Sequence, residues 1–350
     1  MKKLKSIVGW ILAVGVAFFI VNIISMLYYK SPGFMKRDTG ATNAIWYPDS
    51  SYIMGYEGYG INHIDENGYV NEAGSLADEY ILVMGSSQTE GLHVNGSQNY
   101  TSLLNSYYGS GDDLAVYNIA RSGRTWLDII SGFSASLEEF PYSNTIIIEI
   151  GNTDFSVGEL ESAMSQREFE PQDTGINLVE QQKPLSRIKI FAERNLPLLY
   201  YLYEVQLKDA RQQLQNWCKG FTNDSVSYTN STVSNVTNNE KSYSDATKEI
   251  LTLFRKKYEG TIIILYLPAI EIDQSGKMNL IYDASVEQFA TACDECDIEF
   301  LDPGSAYLAA YENDHIVPYG FSNTSMGTGH LNKEGNQIIY ELLMDTLEGK

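Results

Sequence analysis

Two serines follow an apolar run at its carboxyl end, in the stretch ILVMGSSQTEG at residues 81–91. A serine hydroxyl becomes a nucleophile when a base removes its proton, and histidine is the usual base because its pKa lies near neutrality. The chain has four histidines, and His330 lies in the glycine-rich stretch GTGHLNKEGNQ at residues 327–337. This pairing indicates acyl chemistry on a serine, and the alternative is an ordinary turn or helix cap.

Two further stretches offer hydrogen-bond donors just after apolar runs. They are YNIARSGRTW at residues 117–126 and IEIGNTDF at residues 148–155. Glycine lets the backbone approach a substrate closely, and an asparagine side chain or a backbone N–H can stabilise the oxyanion that forms when a carbonyl is attacked.

The elements that must position these residues alternate along the chain between strand-like and helix-like patterns. Short β-rich apolar runs predict strands at 80–85, 114–120, 144–151, 260–268 and 298–302. Helix-like patterns cover 97–108, 125–139, 186–218, 244–258, 283–295 and 333–348. Apolar strands separated by helices predict a parallel sheet covered on both faces, which binds ligands beyond the carboxyl ends of its strands.

Taken in order, the four polar stretches resemble the conserved blocks of the SGNH, or GDSL-like, hydrolases. The resemblance covers roughly residues 77–350 and implies a three-layer α/β/α fold, flavodoxin-like, with a central, mostly parallel five-stranded sheet. It implies Ser87 as the nucleophile and His330 as the base. The oxyanion donors would be the backbone N–H groups of Ser87 and Gly123 and a side chain of the third block, either Asn152 or Thr153. The resemblance implies neither a cofactor nor a metal ion.

The chain departs from the family pattern where two acidic residues are expected. Ser86 stands in place of the aspartate before the nucleophile, and Gly327 stands in place of the aspartate three residues before the histidine. Three explanations are open for the second departure. The site works as a Ser–His dyad oriented by a backbone carbonyl, Asp314 on the preceding segment supplies the acid, or the site is inactive.

The N-terminus carries an apolar run without charged residues from Ser6 to Tyr29. About 20 apolar residues span a bilayer, whereas the apolar core of a cleaved signal peptide is about 7–15 residues long. The run therefore predicts an uncleaved, single-pass anchor over residues 1–29. Lysines flank it on both sides, so the charge bias is weak, and we expect a cell-membrane protein with its main domain outside the cytoplasm.

The remaining chain divides into two parts. Residues 30–76 are rich in Gly and Tyr, and we interpret them as a linker or surface segment before the domain at 77–350. DENGYVNE at 65–72 partly resembles a stretch that precedes the first block in membrane-linked family members, with Asn71 in place of an arginine. An insertion is expected at about 160–250, including an Asn-, Ser- and Thr-rich loop at 221–243.

Other features are less specific. Two interpretations are open for His93, which closely follows the first block: it lines the pocket, or it is a surface histidine, which we favour. CDEC at 293–296 has the spacing of a redox motif but follows a helix, so a structural disulfide or two thiols are favoured. The net charge of −21 argues against nucleic-acid binding.

The sequence therefore predicts a membrane-anchored, extracytoplasmic serine esterase that acts on acyl esters, O-acetyl esters of cell-surface glycans above all, or on another small acyl ester. One alternative is an acyltransferase in cell-envelope polysaccharide O-acetylation or teichoic-acid D-alanylation, working beside an integral-membrane acyltransferase. Another alternative is a catalytically degenerate glycan-binding or accessory protein.

Overall fold

The computed structural model describes residues 2–36, 44–111, 113–165, 191–192, 194–202 and 241–349. The strands are β1 (Phe34–Lys36), β2 (Ala44–Trp46), β3 (Ser50–Met54), β4 (Gly60–Ile64), β5 (Ser75–Met84), β6 (Asp113–Asn118), β7 (Ser143–Ile150), β8 (Thr261–Tyr266), β9 (Ala269–Ile272), β10 (Met278–Ile281) and β11 (Glu299–Leu301). The helices are α1 (Lys2–Met26), α2 (Ser87–Glu90), α3 (Tyr100–Tyr108), α4 (Trp126–Glu139), α5 (Val157–Ser165), α6 (Pro197–Tyr201), α7 (Tyr243–Lys257), α8 (Val286–Glu295), α9 (Gly304–Asp314) and α10 (Lys333–Glu348).

A parallel sheet lies at the centre, with its five described strands in the order β11-β8-β7-β5-β6. Successive side chains of a strand point to opposite faces. Leu82, Ile146 and Ile264 accordingly pack into a core cluster with residues of α4, α7 and α8. Val83, Ile147 and Ile263 pack into a second cluster with residues of α3, α9 and α10. The predicted three-layer α/β/α fold is confirmed.

All five predicted strands are present, each within a few residues of its expected bounds. The sequence patterns did not indicate α9 or the β9–β10 hairpin. The predicted helix at 186–218 and the insertion at about 160–250 fall largely outside the described residues; of this stretch the structure describes α5, α6 and their neighbours, and the beginning of α7.

The segment that we interpreted as a linker or surface segment, residues 30–76, is packed against the domain through its described residues, 30–36 and 44–76. It forms two antiparallel pairs, β1–β2 and β3–β4, before it enters the long central strand β5. Its aromatic and aliphatic side chains make a third buried cluster together with Tyr29, which precedes the segment, and Leu92, which follows β5; the segment's own members are Trp46, Tyr52, Met54, Ile64 and Val70. The reason is its composition, because large apolar side chains favour burial over extension through solvent.

A buried carboxylate fastens this segment to the sheet. Asp65, 7% exposed, accepts bonds from the backbone of Asn67 and Tyr69, from the amide of Asn71, and from the hydroxyl of Tyr117 on β6. Asn71 in turn exchanges hydrogen bonds with the backbone of residue 118, at the end of β6. The DENGYVNE stretch is therefore a clamp between the N-terminal segment and the carboxyl edge of the sheet.

The first helix is the described helix that is long and apolar enough to cross a membrane. Its segment Ser6–Met26 has a mean hydropathy of 2.6 and is 6% buried. The same composition suits a signal sequence, so length and hydropathy leave both readings open.

We expect Asp65→Ala to lower the free energy of unfolding by about 2–4 kcal/mol, because four donors lose a buried charged acceptor. The neighbouring Glu66→Ala, at an exposed position, is the matched control and should change stability by less than about 0.5 kcal/mol. Denaturant unfolding of both variants measures the difference. Equal stability of the two variants would contradict the clamp.

Candidate active site

The structure brings Ser87 and His330 together at the carboxyl edge of the sheet. Ser87 begins the short helix α2, directly after β5, and Ser86 caps that helix by accepting a bond from the Gln88 backbone. His330 lies in the loop before α10. Its Nε2 atom is 2.9 Å from the Ser87 Oγ atom, which is the geometry of a serine and its general base.

A glutamate from the N-terminal segment binds the other ring nitrogen of His330. The Glu57 Oε1 atom accepts from Nδ1 at 2.8 Å and from the His330 backbone N–H at 3.0 Å. Asp314, which we considered as the orienting acid, is exposed at the carboxyl end of α9. Since Ser87 and Glu57 already occupy the two nitrogens, the ring leaves no position for Asp314.

The Glu57 carboxylate is charged at neutral pH. Burial would raise the pKa of Glu57, but the hydrogen bond from His330 and the nearby imidazoles of His330 and His93 outweigh it and lower the pKa. An ionised Glu57 accepts a hydrogen bond from Nδ1–H, so the neutral form of the ring presents its Nε2 lone pair to the serine hydroxyl. The arrangement thus selects the tautomer that a general base needs.

A glycine makes room for this carboxylate. A Cβ atom at Gly329 would contact the Glu57 Oε1 atom, and Gly329 also has a φ of +81°, in the left-handed region that favours glycine. Gln88, the residue after the nucleophile, holds the same loop. Its side chain accepts from the Leu331 N–H at 2.7 Å and donates to the Gly329 carbonyl at 3.1 Å. Gln88 therefore binds the residues on either side of His330, which adds two contacts to the Ser87–His330 hydrogen bond.

His93 is part of the site, contrary to our expectation of a surface histidine. It is 6% exposed, and its ring stacks on His330 with centroids 3.6 Å apart and planes 13° apart. Its Nδ1 atom lies 3.3 Å from the Glu57 carbonyl oxygen. Burial and the neighbouring His330 lower the pKa of His93 to about 4, partly offset by Glu57. His93 is therefore neutral at physiological pH and packs against the face of the His330 ring.

Glu57, His93 and His330 lie close enough together to be considered as metal ligands. The geometry does not favour this. Both ring nitrogens of His330 already have partners, and imidazole lone pairs lie in the ring plane, so two stacked, nearly parallel rings do not direct their lone pairs at one point.

A second glutamate stands behind the nucleophile turn. Glu149 on β7 is 1% exposed, and its carboxylate accepts from the Ser86 N–H at 2.6 Å, from the Ser86 hydroxyl and from the Thr89 hydroxyl at 2.9 Å. A Cβ atom at Gly85 would lie 2.6 Å from this carboxylate, which explains the glycine at the end of the strand. Burial raises the pKa of Glu149 despite these bonds. It holds Ser86, which stands where the family has an aspartate.

A third glutamate fixes the turn that carries Gly123. Glu90 is 0% exposed and binds the Arg121 guanidinium at 2.6 Å, the Ser122 N–H at 2.8 Å and the Trp46 indole at 2.7 Å. The Arg121 N–H donates to the Gly85 carbonyl at 3.0 Å, so this turn lies beside the nucleophile turn. Gly123 follows with a φ of +81° and with open space where a Cβ would be.

The two candidate donors of the third block differ in environment. Thr153 is fully buried; its hydroxyl and N–H both contact the Asp283 carboxylate, and its hydroxyl also accepts from Ser285. Asn152 is exposed, and its Oδ1 atom accepts from the Asp154 N–H at 2.8 Å. Thr153 is committed to the protein interior, whereas the Asn152 amide group faces solvent and retains its N–H donors. Asn152 is therefore the better oxyanion candidate.

Sequence reasoning missed Glu57, Glu90, Glu149 and the role of His93. An isolated acid within the apolar run of β7 was a usable signal for Glu149, because a charge inside a buried strand needs a reason. Glu57 gave no such signal in its Gly- and Tyr-rich surroundings. The cysteines of the C-x-x-C stretch are free thiols, and burial raises the pKa of Cys293, which disfavours the reactive thiolate.

No protein-family profile and no curated protein sequence matches this chain. Solved structures that resemble it include a mutant of Axe2, an acetyl-xylooligosaccharide esterase of Geobacillus stearothermophilus, at 14% identity and a TM-score of 0.39, covering 78% of this chain and 95% of that one. A second is the esterase EstA from Pseudoalteromonas sp., at 11% identity and a TM-score of 0.36, covering 78% of this chain and 98% of that one. A third is the acetyl xylan esterase AlAXEase, at 11% identity and a TM-score of 0.37, covering 76% of this chain and 98% of that one. All three are esterases.

We expect Glu57→Gln to lower kcat for a chromogenic acetate ester by about two to four orders of magnitude, because the amide no longer holds the productive tautomer of His330. Circular dichroism should show an unchanged fold. Asp314→Asn is the matched control, with activity close to wild type. A full loss of activity in the Asp314 variant, with Glu57→Gln active, would reverse the assignment of the acid.

The lowered pKa of His93 predicts an acid-sensitive fold. Between about pH 6.5 and about pH 4 the unfolded chain binds a proton at this histidine and the native chain does not, so stability falls as pH falls through this window. The slope from one such group is up to about 1.4 kcal/mol per pH unit.

His93→Phe keeps an aromatic ring against His330 and removes the titrating group. Urea unfolding at several pH values should therefore show a shallower loss of stability below pH 6.5 than in the wild type. The exposed His315→Asn variant is the control and should keep the wild-type slope. Identical slopes in all three proteins would contradict a buried, neutral His93.

Proposed function

We propose that this chain is a serine ester hydrolase of the SGNH type, with Ser87 as the nucleophile, His330 as the general base and Glu57 as the orienting acid. The observation that carries the proposal is the continuous chain of hydrogen bonds from Ser87 Oγ to His330 Nε2 and from His330 Nδ1 to Glu57. In the family pattern this acid stands three residues before the histidine, where this chain has Gly327. Here it comes from a different part of the fold and reaches the same nitrogen.

The geometry supports a two-step acyl transfer. Ser87 Oγ attacks the ester carbonyl carbon while its proton passes to His330 Nε2, and Glu57 stabilises the imidazolium that forms. The tetrahedral intermediate collapses when His330 returns the proton to the leaving alcohol oxygen, which leaves an acyl-serine. Water, deprotonated by His330, then attacks the acyl carbon and releases the acid and the free serine.

The oxyanion is stabilised by donors that the surrounding glutamates hold in place. We assign this role to the backbone N–H groups of Ser87 and Gly123 and to the Asn152 side chain. Glu149 fixes the turn before Ser87, and Glu90 fixes the turn before Gly123. Preorganised donors of this kind contribute several kcal/mol to catalysis because they need no reorientation as charge develops.

The substrate class follows from the site together with α1. We propose acyl esters, with O-acetyl groups of cell-surface glycans as the first choice, and a single-pass membrane anchor through residues 6–29 that leaves the main domain outside the cytoplasm. Glu57 beside His330 and Glu149 beside the turn before Ser87 supply carboxylates near the positions where the two family acids are absent. This removes the motive for a catalytically degenerate accessory protein, which was the absence of the two family acids.

Acyl-enzyme formation tests the proposal directly. The full chain in detergent should be labelled by a fluorophosphonate and should hydrolyse p-nitrophenyl acetate. Ser87→Ala should abolish both, and His330→Ala should lower turnover by at least about three orders of magnitude. Ser106→Ala, an exposed serine on α3, serves as the control and should behave as wild type. Labelling that survives in Ser87→Ala would refute the nucleophile.

The acceptor needs a separate measurement, because a sugar hydroxyl can replace water in the second step. The full chain is incubated with an acyl donor and an unacylated glycan, and the products are separated by mass. Free acid as the product at every glycan concentration supports the hydrolase. Acyl groups on the glycan, with faster decay of the acyl-enzyme, would support an acyltransferase working with an integral-membrane partner instead.

A further inference from the structure

The end of the apolar helix α1 is built into the active-site side of the domain. Tyr29, three residues after the helix, is 8% exposed and packs its ring against Tyr52 and Tyr56, at centroid distances of 6.1 and 5.6 Å. Lys30 and Ile53 exchange both backbone hydrogen bonds at 2.9 Å. The helix therefore passes directly into the fold without a flexible linker.

The residues that contact the end of α1 lie on both sides of Glu57 in the sequence. The Tyr59 hydroxyl donates to the Leu27 carbonyl at 2.9 Å, and a Cβ atom at Gly55 would contact the Tyr28 carbonyl. Glu57 lies midway between these two contacts. Two residues of chain extend at most about 7 Å, so Glu57 stays close to the point where α1 ends.

A second contact brings another part of the domain to the level of α1. Asn22, inside the apolar helix and one turn from its end, is 6% exposed and donates to the Asn195 carbonyl at 2.8 Å. The short helix α6 lies alongside. Because Asn22 belongs to the apolar segment Ser6–Met26, residues near 195 reach the depth of the membrane boundary if α1 spans the bilayer.

Large apolar side chains are exposed around both contacts. Phe191, Leu199 and Leu202 are 60%, 46% and 41% exposed, and beside the helix end Tyr59 and Ile61 are each 50% exposed. A contiguous set of exposed apolar side chains marks an interaction or membrane surface, and tyrosine is enriched at the membrane–water interface while leucine and phenylalanine favour the apolar interior. With a net charge of −21, the chain has no general electrostatic attraction to an anionic membrane, so apolar contact has to supply the adhesion.

We propose that the face that carries Phe191, Leu199, Leu202, Tyr59 and Ile61 rests on the bilayer where α1 leaves it, and that the Ser87–His330–Glu57 site thereby acts on acyl esters whose remaining part is held in that bilayer. The proposal rests on the serine hydrolase and membrane anchor proposed above. It commits the substrate to an amphiphile rather than a freely soluble glycan ester. Enzyme and substrate then share one surface, which raises their effective concentration without any new contact.

The bilayer contact is tested in the full chain with tryptophan as a reporter. Leu199→Trp and Tyr142→Trp are each made with Trp10→Phe and placed in vesicles of phosphatidylcholine with brominated acyl chains. Tyr142 is the matched control, since it is 72% exposed and precedes β7 at the opposite edge of the sheet. We expect the added fluorescence at position 199 to be quenched by half or more and that at position 142 to be unchanged. Equal quenching of the added tryptophan at both positions overturns the proposal.

The substrate preference is tested with p-nitrophenyl palmitate carried in phosphatidylcholine vesicles and with soluble p-nitrophenyl acetate. In the full chain, Leu199→Asp combined with Leu202→Asp should lower turnover of the vesicle-borne ester about tenfold and leave acetate turnover unchanged. Unchanged turnover of both esters overturns the proposal.

Acetate turnover distinguishes failure of the proposed hydrolase from failure of the proposed bilayer contact. If the wild type fails to hydrolyse acetate, the proposed hydrolase fails, and the quenching measurement still decides the bilayer contact. If the double variant loses both activities, its fold is disturbed, and quenching at position 199 again decides.

Discussion

The paired hydrogen bonds from His330 to the Glu57 carboxylate are the interaction on which the candidate site depends. One carboxylate oxygen accepts both the ring Nδ1–H and the backbone N–H of the same residue, so it fixes the ring, its tautomer and the loop that carries it. The neighbouring elements accommodate this contact. Gly329 leaves space for the carboxylate, Gln88 ties the loop to the nucleophile turn, and His93 covers the open face of the ring.

Two carboxylates thus stand in for the acids that are missing from their expected sequence positions. Glu149 reaches the nucleophile turn from the neighbouring strand β7, and Glu57 reaches the base from the N-terminal segment. The site requires a carboxyl group at a given position relative to the nucleophile turn or the base, and any element of the fold that passes that position can supply it. Loss of a motif residue is therefore weak evidence for an inactive site until the surrounding side chains have been located.

The origin of Glu57 gives the N-terminal segment its role. Because this segment joins the end of α1 to the carboxylate that contacts His330, the apolar helix and the candidate site share one structural unit, which Asp65 and its four donors hold to the sheet. Buried polar clamps of this kind are costly to break, since each lost acceptor leaves a donor unpaired away from water. The geometry of the site is consequently coupled to the packing of residues that precede the central sheet.

The sequence by itself determined the layers and the location of the candidate nucleophile Ser87, because strand and helix periodicity are local and the strand ends meet at one edge of a parallel sheet. It also placed Ser87 just after a central strand and His330 just before the last helix, through the order of the four polar stretches. Only the tertiary structure decided that Glu57, distant by 273 residues from His330, contacts its ring, that His93 is buried against the same ring, and that Thr153 is hydrogen-bonded to Asp283. These pairings join residues far apart in the chain, and no local pattern encodes which distant side chain will meet a given atom once the core has packed.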